Sequence, residues 1–236
     1  MAKKSKKYAA AEKAIPEGEV APIEAMKVVK EISTANFDET VTADFRLGID
    51  TRQADQQLRG MISLPNGSGK DVRVAVFAEG EAARAAEEAG ADIVGTDVLT
   101  EQINKGEFNF DAAVATPDQM GKVGRLGKVL GPRGLMPNPK LGTVTNDVAK
   151  AIADLKGGKV EYRADRYGIV HVILGKASFT PEALAENYGA VYDEILRMKP
   201  SAAKGKYVKS IAVSSTMSPG IAVDSTVTRA YTEGAA

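Results

Sequence analysis

The sequence predicts an α+β domain assembled from both ends of the chain, with an α/β domain inserted between them. Three observations carry this expectation. Apolar and polar residues alternate near residues 41–47, 159–174 and 206–215, the pattern of strands buried on one face. Between them, VRVAVF, ADIVGT and DAAVAT are short, nearly continuous apolar runs separated by helical patterns, which implies a mainly parallel sheet covered on both faces. Two glycine-bearing stretches, LPNGSGK at 64–70 and LKGGK at 155–159, bracket this middle part. The expected boundaries are 1–67 with 158–236 for the outer domain and 68–157 for the insert. Insertion is well tolerated where the two crossing segments lie adjacent at the host surface.

The elements follow in order. A basic tail carries Lys3, Lys4, Lys6 and Lys7 and reads as a solvated charged surface. PIEAMKVVKEI (22–32) is helical by its apolar spacing, with Pro22 suited to the first turn. After the polar break NFDET (36–40), TVTADFRLGI alternates through Val41, Ala43, Phe45 and Leu47, and LRGMISL looks like its partner strand. The middle part alternates strand and helix, with strands at Val72–Phe77, 91–96 and Ala112–Ala115, and closes with a helix in NDVAKAIADLKGG. KVEYR and YGIVHVILG are strands joined by the turn ADRYG. The last helix is capped by Thr180, begins at Pro181 and runs to about Met198; KYVKSIAVSS and a segment after TMSPG (216–220) complete the strands.

Composition narrows the chemistry. Of 236 residues, 44% are hydrophobic and 26% charged, enough for a sizeable core. There is no cysteine and one histidine, His171, so disulfides, thiolate metal sites and cysteine nucleophiles are excluded. No cofactor and no metal site are expected, because no acidic cluster has calcium-loop spacing. No apolar run approaches the length of a membrane span and the N-terminus lacks a signal-peptide core, so a cytoplasmic protein without membrane contact is expected.

Net charge is zero, but it is unevenly distributed. Residues 71–118 hold eleven acids against Arg73, Arg84 and Lys105, whereas 119–146 hold Lys122, Arg125, Lys128, Arg133 and Lys140 with no acid. Local patches set the field an anionic partner meets. The same acid-free stretch contains GRLGKVLGPRGLMPNPKLGTV (124–144), with five glycines and three prolines, which is expected to be a long shaped loop rather than helix or strand.

Four motifs bear on ligand binding. GSGKD (67–71) lacks the glycine and the hydroxyl residue that a phosphate loop requires, and reads as linker. Gly121, Gly124 and Gly127 form G-x-x-G units, which can clamp an RNA backbone or serve equally as a helix–loop junction. In NFDET, Phe37 either plugs the core or stacks on a nucleotide, and TMSPG either approaches a backbone closely or is an ordinary turn. His171 lies in an alternating strand and reads as structural.

GKVGRLGKVLGPRGLMPNPKLGTVT followed by KVEYRADRYGIVHV strongly resembles the bacterial branch of the large-subunit ribosomal protein L-one family, and NFDETV, LGIDTRQADQQLRGMISLPNGSGK and SSTMSPG match it in the same order. The resemblance spans essentially the whole chain. It implies that the insert is Rossmann-like and hinged, and that the split outer domain binds large-subunit rRNA at the mobile stalk. It further implies assistance in releasing deacylated exit-site tRNA, repression through the protein's own operon mRNA, and a monomer off the ribosome. By position, the implied RNA contacts are Phe37, Thr40, Asp165, Arg166, Tyr167, His171, Thr216, Met217 and Ser218, with the basic loop secondary. Two residues depart from the family: Asn36 stands where a basic residue is common, and Ser218 where glycine is usual. The competing reading, a nucleotide- or phosphosugar-binding α/β enzyme, lacks both a phosphate loop and an activated acid or base.

Two glycine-bearing crossings, with Gly67, Gly69, Gly157 and Gly158, are expected to let the insert move as a rigid body. Single-molecule distances between the two parts of the free protein should show more than one separation; one narrow distance would contradict the hinge.

Overall fold

The computed structural model describes residues 5–227, apart from the side chains of Ala54 and Lys140. Its core follows from the alternation in β1 (Thr40–Leu47), which buries Val41, Ala43, Phe45 and Leu47 while Thr40, Thr42, Asp44 and Arg46 point the other way. β1 is central: it pairs antiparallel with β7 (Ile169–Lys176) on one side and β8 (Val208–Ser215) on the other. β9 (Ile221–Val223) completes the order β7-β1-β8-β9.

α2 (Pro22–Ile32) and α8 (Pro181–Arg197) cover the apolar face of this sheet. α8 starts where Thr180 accepts the Ala183 N–H, with Pro181 at the first helical position. It buries Leu184, Tyr188, Val191, Tyr192 and Ile195 at helical spacing. Phe45 stacks on Tyr188 at 5.8 Å and lies 6.3 Å from Tyr192. Truncating such a buried ring to alanine costs about 3–5 kcal/mol.

Two local features add to or change the expectation in this unit. Lys6 and Lys7 are exposed, as a solvated surface requires, but they open a helix, α1 (Lys6–Lys13), which Ser5 caps through the Tyr8 N–H and whose Ala11 enters the core; Lys3 and Lys4 lie outside the described residues. The second is β2 (Arg59–Ser63), expected beside β1, which pairs instead with β6 (Lys159–Arg163) in a separate two-stranded sheet. Both edges of β1 are already occupied, so β2 must find another partner. Leu58 accepts the Ala164 N–H at 2.9 Å, so Ser63 and Lys159 share the opposite end of this ladder.

LPNGSGK is not uniformly loose. Asn187 of α8 is fully buried; its Oδ1 accepts the Asn66 N–H at 3.0 Å, and its amide donates to Gly67 O and Leu174 O. At Gly69 (φ +67°) a Cβ would stand 2.8 Å from the Lys176 side chain.

By contacts the chain divides into residues 1–69 with 160–236, and 70–159. The second unit has a parallel sheet of order β4-β3-β5, built from β3 (Val74–Phe77), β4 (Ile93–Val94) and β5 (Ala112–Ala115), with α3 (Glu81–Glu88), α4 (Thr96–Lys105) and a later helix, α7 (Val148–Lys156), as its longer helices. The acid-free stretch is not loop throughout. It opens with α5 (Met120–Val123), a 3-10 turn at Gly124–Leu126 and α6 (Gly127–Leu130), and Gly124 and Gly127 are right-handed helical. Burial of Val123, Leu126 and Leu130 on one side overrides the poor helix propensity of glycine. At Gly131 a Cβ would meet Gly127 O at 2.6 Å, so glycine is required where the helical turns end. Farther on, Val144 forms a parallel bridge to Ala115.

The first unit has its own core and both crossings at one end of the β2–β6 ladder. Deleting 70–158 with a short linker should therefore leave a cooperatively folding protein. Urea unfolding followed by circular dichroism checks this; a broad, non-cooperative transition would refute it.

Candidate nucleic-acid interface

The site is organised by Glu39, which is 1% exposed. Its position is legible in the strand pattern: it belongs to the inward series 39, 41, 43, 45, one step before β1 begins, so a carboxylate is carried inward with the apolar residues. There Oε2 accepts the Ser215 hydroxyl at 2.6 Å and the Met217 N–H at 2.9 Å, while Oε1 accepts the Ala35 N–H at 3.0 Å. Burial pushes the carboxyl pKa up, but the Ser215 hydroxyl and the Met217 and Ala35 N–H groups outweigh it and hold the pKa below its ordinary value. One carboxylate thus ties together the end of α2, the NFDET break and the TMSPG loop.

Around this anchor the structure brings together five of the expected residues. Phe37 is 56% and Met217 64% exposed, so Phe37 is not a core plug. Thr216 Oγ1 accepts the Thr40 N–H at 3.0 Å, and Lys176 donates to Thr40 Oγ1 at 2.9 Å. Ser218 Oγ accepts the Ser215 N–H at 2.9 Å and lies 2.9 Å from the Ser215 hydroxyl. The serine that replaces the expected glycine therefore directs its hydroxyl into the Glu39 network.

The Asp165–Tyr167 turn is elsewhere. Arg46 is opposite Ile169, whereas Thr40 is opposite Lys176, so the turn lies about 20 Å along β1 from Phe37 and Met217. Asp165 Oδ1 accepts the N–H groups of Tyr167 and Ile169, both at 2.8 Å. Its pKa, pushed up by burial, is brought below the ordinary value by those N–H groups and by His171. Arg166 stacks over the exposed Tyr167 ring at 4.9 Å. Between the two ends, on the outward sheet face, His171 donates through Nδ1 to Asp44 at 2.6 Å and its Nε2 is 3.8 Å from Asp165. It is exposed and held between two carboxylates, an arrangement that needs Asp44 directly across the strand pair and is invisible in linear sequence.

The basic loop of the second unit divides in two. Lys122 is paired with Glu79 at 2.7 Å and Asp97 at 3.6 Å, and the Arg133 guanidinium covers the Phe108 ring at 3.7 Å. Arg125 and Lys128 are exposed and make no ion pair among the described residues. The side chain of Lys140 lies outside the described residues. Lys70 of GSGKD is bound to Asp111 at 2.7 Å, which keeps the Asp111 pKa below its ordinary value.

Glu39→Gln keeps the shape but removes the charge from three hydrogen bonds, and should cost about 2 kcal/mol at neutral pH. A folded-state pKa below the unfolded one gives stability that is full above the unfolded value and lost as pH falls through the folded value. The parent and the variant should therefore converge below the ordinary carboxylate range. Urea unfolding from neutral to acid pH tests this; a gap independent of pH would rule out the charge as its source.

Comparison with known proteins identifies the family. Residues 29–219 match the model of the ribosomal protein L1p/L10e family. The chain is 61% identical over 234 residues to the large ribosomal subunit protein uL1 of Corynebacterium aurimucosum, covering 99% of this chain and 100% of that one. It is 60% identical to the Corynebacterium jeikeium protein of the same name over the full length of both, and 59% identical to that of Streptomyces coelicolor over 97% and 95%. The chain belongs to the ribosomal protein L1p/L10e family.

Proposed function

We propose that the unit built from both chain ends binds large-subunit rRNA along the edge where NFDET and TMSPG meet. As a family member the chain is a structural constituent of the large ribosomal subunit in the bacterial cytoplasm, not an enzyme. One observation carries the RNA reading: Phe37 and Met217, both well exposed, stand on two loops locked to one buried carboxylate. Exposed apolar side chains on a preorganised, hydroxyl-rich surface suit close contact with a sugar–phosphate edge, where shape and 2′-hydroxyls are read. The outward row through Thr42, Asp44 and His171 extends this surface toward the Asp165–Tyr167 turn. The residues 70–159 form the hinged insert in this reading, and exit-site tRNA and the operon mRNA are its further RNA partners; the free protein is a monomer.

Met217→Ala should weaken binding of the full chain to a structured rRNA fragment about tenfold with little change in salt slope, since it removes apolar contact rather than charge. Thr216→Val should act in the same direction. Lys128→Ala should cost less at moderate salt and reduce the slope by about one. Filter binding across a salt series decides: a parent-like Met217→Ala together with a crippled Lys128→Ala would move the interface to the second unit.

A further inference from the structure

Beside Met217 lies an open pocket of about 160 Å³, and Met217 is the one RNA contact implied by the resemblance among its described lining residues. Its apolar lining includes Tyr8 and the buried Ala11 of α1 and Ile32 at the end of α2, with Met217 on one side and Thr34 on the rim. Lys7 is the only charged residue lining it among the described residues, and its Nζ donates to Thr34 O at 3.4 Å. The adjoining Lys6 adds a second cation at the start of the same helix. Another part of the wall, Ala35, is held by its N–H to Glu39, the same carboxylate that holds Met217. The Glu39 network thus holds two of the pocket's walls, and through Met217 the pocket is continuous with the proposed RNA surface.

We infer that this pocket takes one unstacked nucleobase of the large-subunit rRNA, with Lys7 meeting the adjacent phosphate; this rests on the RNA-binding reading above. The size fits, because an apolar cavity of about 150 Å³ holds a single six-membered aromatic ring. The chemistry fits as well. A flat ring gains contact with Tyr8, Ile32 and Met217, as unstacked RNA bases do on aromatic and apolar side chains, and a cation at the mouth suits the linked phosphate. An acidic or purely aliphatic partner would leave one of these two features unused. In this arrangement α1 is part of the interface, not a charged tail.

Thr34→Phe starts from an exposed rim position and places a ring over the opening, outside the Glu39 network. In the full chain it should weaken binding to the rRNA fragment about tenfold, the order of one lost base stack, with the salt slope unchanged. Lys7→Met should lower the slope by about one. If Thr34→Phe binds like the parent while Met217→Ala is weakened, the RNA surface stands and the base pocket is refuted. Should both bind like the parent, the surface reading fails and the pocket with it. An independent measurement uses the unaltered chain: acylation of the Lys7 amine should be suppressed in the RNA complex while that of Lys13 is not. Equal labelling of Lys7 in free and bound protein would overturn the proposal even if Thr34→Phe did not fold.

Discussion

The buried carboxylate of Glu39 is the interaction on which the candidate interface depends. Removing a carboxylate from water is costly unless hydrogen bonds replace the lost hydration. Here two backbone N–H groups and one hydroxyl do so, and each donor comes from a different segment or loop position: Ala35, Ser215 and Met217. A single charge therefore converts two irregular stretches into one fixed surface. The Met217 backbone is held directly by this carboxylate, and Phe37 stands two residues before Glu39, so both exposed side chains start from a fixed stretch of chain.

This arrangement depends in turn on β1 being the middle strand. With β7 and β8 on its two sides, β1 places Thr40 next to Thr216 and Asp44 across from His171, bringing together residues far apart in the chain. The same centrality displaces β2 into its own ladder with β6, where the chain leaves and re-enters the first unit. The aromatic group of Phe45, Tyr188 and Tyr192 secures the other face of the sheet, leaving its outward face to carry hydroxyl, carboxylate and imidazole groups.

Charge behaves differently in the second unit. The acid-free run suggested a uniform basic loop, but Lys122 reaches back to Glu79 and Asp97, and Arg133 is engaged with Phe108. Acids absent from a stretch of sequence can return through the fold. What is left at Arg125 and Lys128 is a small exposed basic patch on helical turns, and the G-x-x-G spacing there belongs to helix, not to a phosphate-clamping loop.

Much of this protein was legible in its sequence because local rules govern it. Period-two burial located β1, β6, β7 and β8, Pro22 and Thr180–Pro181 marked the starts of two helices, and continuous apolar runs marked the parallel strands. Family-specific stretches carried the ribosomal assignment. The helix at Lys6–Lys13 and the helical turns at 120–130 were not legible, since buried Ala11 and the Val123, Leu126 and Leu130 stripe acquire their force only from partners distant in the chain. The tertiary structure alone decided that Glu39 is an anchor, that His171 sits between Asp44 and Asp165, and that the expected RNA contacts other than His171 fall toward two ends of one sheet. Each of these is a cross-strand relation, and strand register is set by the packing of the whole sheet rather than by any segment within it.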